Sequence, residues 1–166
     1  MRLFVGIDLP SEVKQQLLNF QSELRNMGVS GFWKVKDNFH LTLEFLGELN
    51  PNTVAKINKI LETAVLNKQS FQLSLEGLGG FPSLQRSHTL WTAIGGNKTA
   101  LLRLRDEIHL GLLSNYFTLE DRVFKPHMTL ASRPILNGID LSSVQTKKLG
   151  EFNATRVQLN TSSETS

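Results

Sequence analysis

The sequence predicts an α+β fold with antiparallel strand pairing, and three observations carry that expectation. Strand-like and helix-like segments alternate without the regular βα succession of a doubly wound sheet. The second half repeats the order of elements found in the first, and one four-residue motif occurs once in each half. At 166 residues the chain fits one domain spanning residues 1–166. With 40% hydrophobic residues against 20% charged, it carries enough apolar side chain for a packed interior.

Arg2 to Asp8 has strand character, and Pro10-Ser11 then opens a segment in which Val13, Leu17, Phe20, Leu24 and Met27 recur at helical spacing. Gly28 and Gly31 mark its end. Phe32 to Lys36 is a short stretch before a polar turn at Asp37-Asn38, and Phe39 to Leu46 reads as a strand closed by Gly47. Pro51 suits the first turn of a second helix, with Val54, Ile57, Leu61 and Val65 as its apolar stripe. Phe71 to Leu75 alternates as a half-buried strand does, and the Gly77, Gly79 and Gly80 cluster reads as a loop between strands. Thr89 to Ile94 is a further strand. Leu101, Leu104, Ile108 and Leu112 form the stripe of a third helix, Arg122 to Ala131 supplies a strand interrupted by Pro126, and Phe152 to Leu159 a last one. Thr161 to Ser166 is a polar tail expected to fray.

The absence of Cys excludes disulfides, thiolate-zinc sites and thiol catalysis, and fits a reducing cytoplasm. The apolar run Leu3 to Ile7 is too short for a signal-peptide core, and no stretch approaches the roughly 20 apolar residues of a membrane helix. A soluble cytoplasmic protein is therefore expected. A net charge of +3 mildly favours a polyanionic partner. No His-Glu-x-x-His, EF-hand loop, Walker-type Gly-x-x-x-x-Gly-Lys or Gly-x-Ser-x-Gly elbow occurs, so neither a metal nor a cofactor is expected.

The chemistry rests on histidine. Of four histidines, two open the same motif, His40-Leu-Thr-Leu43 and His127-Met-Thr-Leu130. Successive side chains of a strand point to opposite faces, so each motif anchors two apolar residues in a core and offers an imidazole and a hydroxyl together on the other face. Phosphodiester cleavage needs two proton-transfer groups, and imidazole serves as either acid or base near neutral pH. Thr42 and Thr129 can hydrogen-bond the non-bridging phosphate oxygens. A lone strand histidine is more often packed or solvent-facing than catalytic; the repeat singles these two out. His88 and His109 lack that context and are assigned to structure or surface. Nearby Phe45, Trp91 and Arg133 are candidates for substrate contact, among other basic and aromatic residues that stack bases or neutralise phosphate. In a regular strand Phe45 would share the core face with Leu41 and Leu43 unless a bulge re-aims it.

These residues resemble the two-histidine phosphoesterase superfamily, and within it the RNA 2′,3′-cyclic phosphodiesterases, also called 2′-5′ RNA ligase-like proteins. Arg2 to Pro10 looks like the opening strand, Asn38 to Gly47 like the first motif, Pro126 to Leu130 like the second, and Gly80-Phe-Pro-Ser83 with Leu90-Trp91 like the linking segment. The resemblance implies a bilobal α+β fold, two pseudo-symmetric lobes flanking a central basic cleft, and no metal. It implies His40 as proton donor to a leaving 3′ oxygen, His127 as proton acceptor from water, and Thr42 and Thr129 as phosphate ligands. The substrate would be RNA ends or oligonucleotides and the product a 2′-phosphomonoester; the reverse joining through a 2′-5′ bond is the same chemistry with a hydroxyl in place of water. A monomer is the default expectation. Relatives of this kind often carry a basic residue five positions after the second histidine, where this chain has Ser132 followed by Arg133, and the ending Thr161 to Ser166 departs from the family's Gly- and Tyr-containing one. A different phosphodiester substrate, or a non-catalytic RNA-binding module, are the competing readings.

Overall fold

Two antiparallel sheets share out the strands in an order that the chain does not follow. The fold is that of a computed structural model, described for residues 1–161. In chain order the elements are β1 (Arg2–Asp8), α1 (Ser11–Asn26), β2 (Ser30–Trp33), β3 (His40–Glu48), α2 (Val54–Val65), β4 (Phe71–Phe81), β5 (Thr89–Gly96), α3 (Lys98–Ser114), β6 (His127–Ile135), β7 (Lys148–Ala154) and β8 (Val157–Thr161). A three-stranded sheet runs β3-β1-β8 and a five-stranded sheet β2-β6-β5-β4-β7. All the paired strands are antiparallel.

The helices form where the apolar stripes predict. Val13, Leu17, Phe20 and Leu24 are the buried face of α1, and the chain leaves it through Gly28 at φ +104°. There the Gly28 and Val29 amides donate to the Arg25 and Leu24 carbonyls, an ending that a left-handed glycine permits. A short 3-10 turn over Pro51–Thr53 precedes α2, and the Asn97 side chain accepts from the Ala100 amide at 3.1 Å to cap α3. Each helix packs its apolar face on a sheet, and the assignment crosses over; in α2 the expected stripe residue Val65 is exposed and Ala64 is buried instead. Helix α1 packs on β7 of the larger sheet, while α2 packs on β8 and α3 on β3 of the smaller one. One apolar cluster joins Leu3, Val5 and Leu41 of the small sheet to Leu75, Leu90 and Leu130 of the large one.

Four expectations change. Gly77, Gly79 and Gly80 lie inside β4, whose pairing with β5 is broken by a register shift between Glu76 and Gly79, so the cluster is a bulged strand and not a loop. The strand expected over Arg122 to Ala131 begins only at His127, because Pro126 has no amide to give a ladder. The last strand, expected over Phe152 to Leu159, is two: β7 ends at Ala154 in one sheet and β8 begins at Val157 in the other. Thr161, expected in the frayed tail, is the end of β8, and residues 162–166 lie outside the described ones. No helix of the described residues is long and apolar enough to cross a membrane.

Candidate active site

Alternation holds through both motifs. Leu41 and Leu43 on β3, and Met128 and Leu130 on β6, are buried, while His40, Thr42, His127 and Thr129 are half-buried on the opposite faces. Immediately afterwards both strands bulge. On β3, Thr42 pairs with Gly6 and Glu44 with Val5, which leaves Leu43 as the extra residue. On β6, Thr129 pairs with Trp91 and Ala131 with Leu90, which leaves Leu130 as the extra residue. Two consecutive side chains are therefore buried in each strand, Leu43 with Glu44 and Leu130 with Ala131. Phe45 is turned out to the face of His40, 62% exposed, where a regular strand would have sent it to the core.

The second bulge is held from outside the sheet. Gln21 of α1, fully buried, donates to the carbonyls of Lys34 at 2.9 Å and Leu130 at 3.0 Å, and the Lys34 amide donates to the same Leu130 oxygen. The bulged carbonyl is thus satisfied twice.

Around His127 the floor is aromatic. Phe81 meets its ring edge-on at 4.8 Å between centroids, and Trp91 lies 6.3 Å away and 5.1 Å from Phe81. Trp91 can lie there only because Gly79 is bare: a Cβ on Gly79 would stand 2.3 Å from the indole. In the sequence Phe81 is one of many nearby aromatics and Gly79 reads as loop; a glycine inside a strand signals close approach of another group. His127 Nδ1 lies 2.7 Å from the Lys125 carbonyl. A carbonyl only accepts, so the neutral ring carries its proton on Nδ1 and leaves the Nε2 lone pair free.

His40 is built differently. Phe4 packs on it at 5.5 Å between centroids and on Phe45 at 6.4 Å. Asp8, its partner in the β1–β3 register, has Oδ1 at 3.8 Å from His40 Nδ1 and 3.2 Å from Lys14 Nζ. Burial pushes His40 below the ordinary imidazole pKa and Lys14 pushes the same way, while Asp8 and the Asp37 backbone push back. Burial also lowers His127, opposed by its bond to Lys125. Only His40 thus has a carboxylate at hand to favour its charged form. Strands β3 and β6 approach each other from the two sheets.

Arg133 has φ +49°, an unusual backbone for a non-glycine residue, and its guanidinium sits 6.0 Å over the ring of Phe32. Phe32 pairs in register with Ser132, and 67% of it is exposed. His88 bonds Thr89 Oγ1, whereas His109 reaches across from α3 to the buried carboxylate of Glu44. Among the described residues no three of His, Cys, Asp or Glu gather as a metal site would require.

The sign of each His40 neighbour gives a pH test. If His40 must enter protonated, Asp8→Asn lowers its pKa further and moves the basic limb of kcat/KM to lower pH, whereas Lys14→Met moves that limb to higher pH. Measured pH profiles in which both changes move the limb in the same direction contradict the role given to His40.

The two sheets, each with its His-x-Thr strand, have the architecture of solved phosphoesterases. A crystal structure from Thermus thermophilus superposes with a TM-score of 0.78 at 26% identity, over 96% of this chain and 87% of that one. That of Escherichia coli LigT complexed with 3′-AMP superposes at 0.74 and 24% identity, over 95% and 86%, a likeness of fold. The chain belongs to the LigT-like phosphoesterase family, whose profile matches residues 7–91. Curated relatives named RNA 2′,3′-cyclic phosphodiesterase include one from Aeropyrum pernix, 35% identical over 70% of this chain and 65% of its own length. Another, from Thermotoga maritima, is 32% identical over 78% and 68%.

Proposed function

We propose that the protein hydrolyses 2′,3′-cyclic phosphate ends of RNA to 2′-phosphomonoesters. The observation that carries this reading is the duplicated His-x-Thr strand, bulged at the same place in each sheet, with an imidazole and a hydroxyl presented together. Water attacks phosphorus and gives a proton to His127 Nε2, the phosphorus–O3′ bond breaks, and His40 gives its proton to O3′. Thr42 and Thr129 donate to the non-bridging oxygens as charge builds on them. Phe45, Trp91 and Arg133 contact the nucleotide. Relatives and the shared family support the substrate class.

The reaction so written needs no metal, and the protein works as a cytoplasmic monomer on RNA ends. An oligonucleotide ending in a 2′,3′-cyclic phosphate, incubated with the protein in EDTA, should be converted to the 2′-phosphate at the rate found without chelator. Loss of turnover in EDTA with recovery on adding a divalent ion would replace the attacking water by a metal-bound one. Binding without turnover under every condition would make the protein an RNA-binding module.

A further inference from the structure

Three ionisable side chains outside the proposed acid–base pair meet behind the first motif. Glu44 is buried on the bulge of β3, and its Oε1 bonds His109 Nδ1 and lies 3.5 Å from Arg105 Nη2. Arg105 lies with its guanidinium 5.4 Å over the ring of Phe124. Phe124 is next to Lys125, whose carbonyl holds the Nδ1 proton of His127.

We infer that Glu44, clamped by Arg105 and His109, is a positioning residue that sets the strand of His40 and Thr42 against the segment that orients His127. This rests on the reading of His40 and His127 as the acid–base pair. Strand β3 is the edge of its sheet, paired with β1 alone, so its other side has no ladder to hold the bulge. The Glu44 carboxylate supplies that hold from α3. Between α3 and β6 the chain runs through residues 115–126 without strand or α-helix. Phe117, Leu119 and Phe124 of this segment pack on the core, and Arg105 over Phe124 adds the contact that ties the neighbourhood of Lys125 to α3 and Glu44. Core stability alone does not call for charge here, since an apolar set of similar volume often does as well as a buried ion cluster. What the ions add is direction: one carboxylate oxygen faces a ring nitrogen and a planar guanidinium, so strand, helix and loop hold one relative placement.

The test uses the intact protein, with Arg105→Met, Phe124→Leu and Glu44→Gln. Misplacement of a reacting group by about 1 Å costs on the order of 100-fold in rate, so Arg105→Met should lower kcat by roughly 10-fold or more with KM shifted far less. In the free protein, the nitrogen chemical shifts of His127 should show its proton less confined to Nδ1. Phe124→Leu removes the ring contact without stranding a buried charge, and should show the same two changes if Arg105→Met fails to fold. Glu44→Gln leaves Arg105 without its carboxylate, and should lower kcat and shift the His127 tautomer in the same direction as Arg105→Met. The inference is overturned if these variants melt at lower temperature yet keep the wild-type kcat and His127 tautomer. A wild-type protein that turns over no cyclic phosphate would defeat the proposed function instead, and the tautomer measurement would still decide the coupling.

Discussion

Replacing His40 or His127 by alanine should slow cleavage of an RNA cyclic phosphate by at least roughly 100-fold each, with the fold intact, since a positioned acid or base contributes about 10²- to 10⁴-fold. Both rings are only half-buried and point away from the core that Leu41, Leu43, Met128 and Leu130 build. Truncation removes the aromatic contacts with Phe4 or Phe81 but leaves that core in place, so circular dichroism should stay close to wild type with only a modest loss in melting temperature. His88→Ala is the control: its exposed ring bonds Thr89 beside it, and turnover should be unaffected. His109 is not an equivalent control, because it holds Glu44. A wild-type rate in either His40→Ala or His127→Ala would remove that residue from the mechanism.

The second large effect separates the two roles. A substrate whose 3′ leaving group departs without a proton should restore most of the rate lost in His40→Ala, because the acid is then no longer needed. It should do nothing for His127→Ala, where water still lacks a base. Product identity checks the same geometry by another route: breaking the bond to O3′ leaves phosphate on the 2′ position. Rescue of His127→Ala, or a 3′-phosphate product, would exchange the labels. The two rings differ in their partners: His127 has Nδ1–H committed to a carbonyl and Nε2 free, while His40 has both Lys14 and Asp8 beside it, and burial and Lys14 outweigh Asp8 in lowering its pKa.

Much of the site was legible before the fold because the relevant rules are local. Strand alternation has a period of two, so the spacing of His40 to Thr42 and of His127 to Thr129 alone puts each pair on one face, and the apolar residues between them commit that face away from the core. Helical stripes are local in the same way, and α1, α2 and α3 fall where Val13 to Leu24, Ile57 to Leu61 and Leu101 to Leu112 predict.

Where locality ends, the reading changes. Phe45 would have been core by alternation; the β3 bulge, a matter of pairing with β1, turned it outward. Gly79 looked like loop chemistry until Trp91, twelve residues on and on another strand, occupied the space of its missing side chain.

The sequence by itself determined the candidate residues for the chemistry and the faces they share, because backbone geometry and side-chain period act within a few residues. Only the tertiary structure decided which sheet each strand joins, where both ladders bulge, and that Glu44, Arg105 and His109 meet. Those outcomes depend on contacts between residues far apart in the chain, as Gln21 on Leu130 and His109 on Glu44 show, and no local period encodes which distant partner will satisfy a buried polar group.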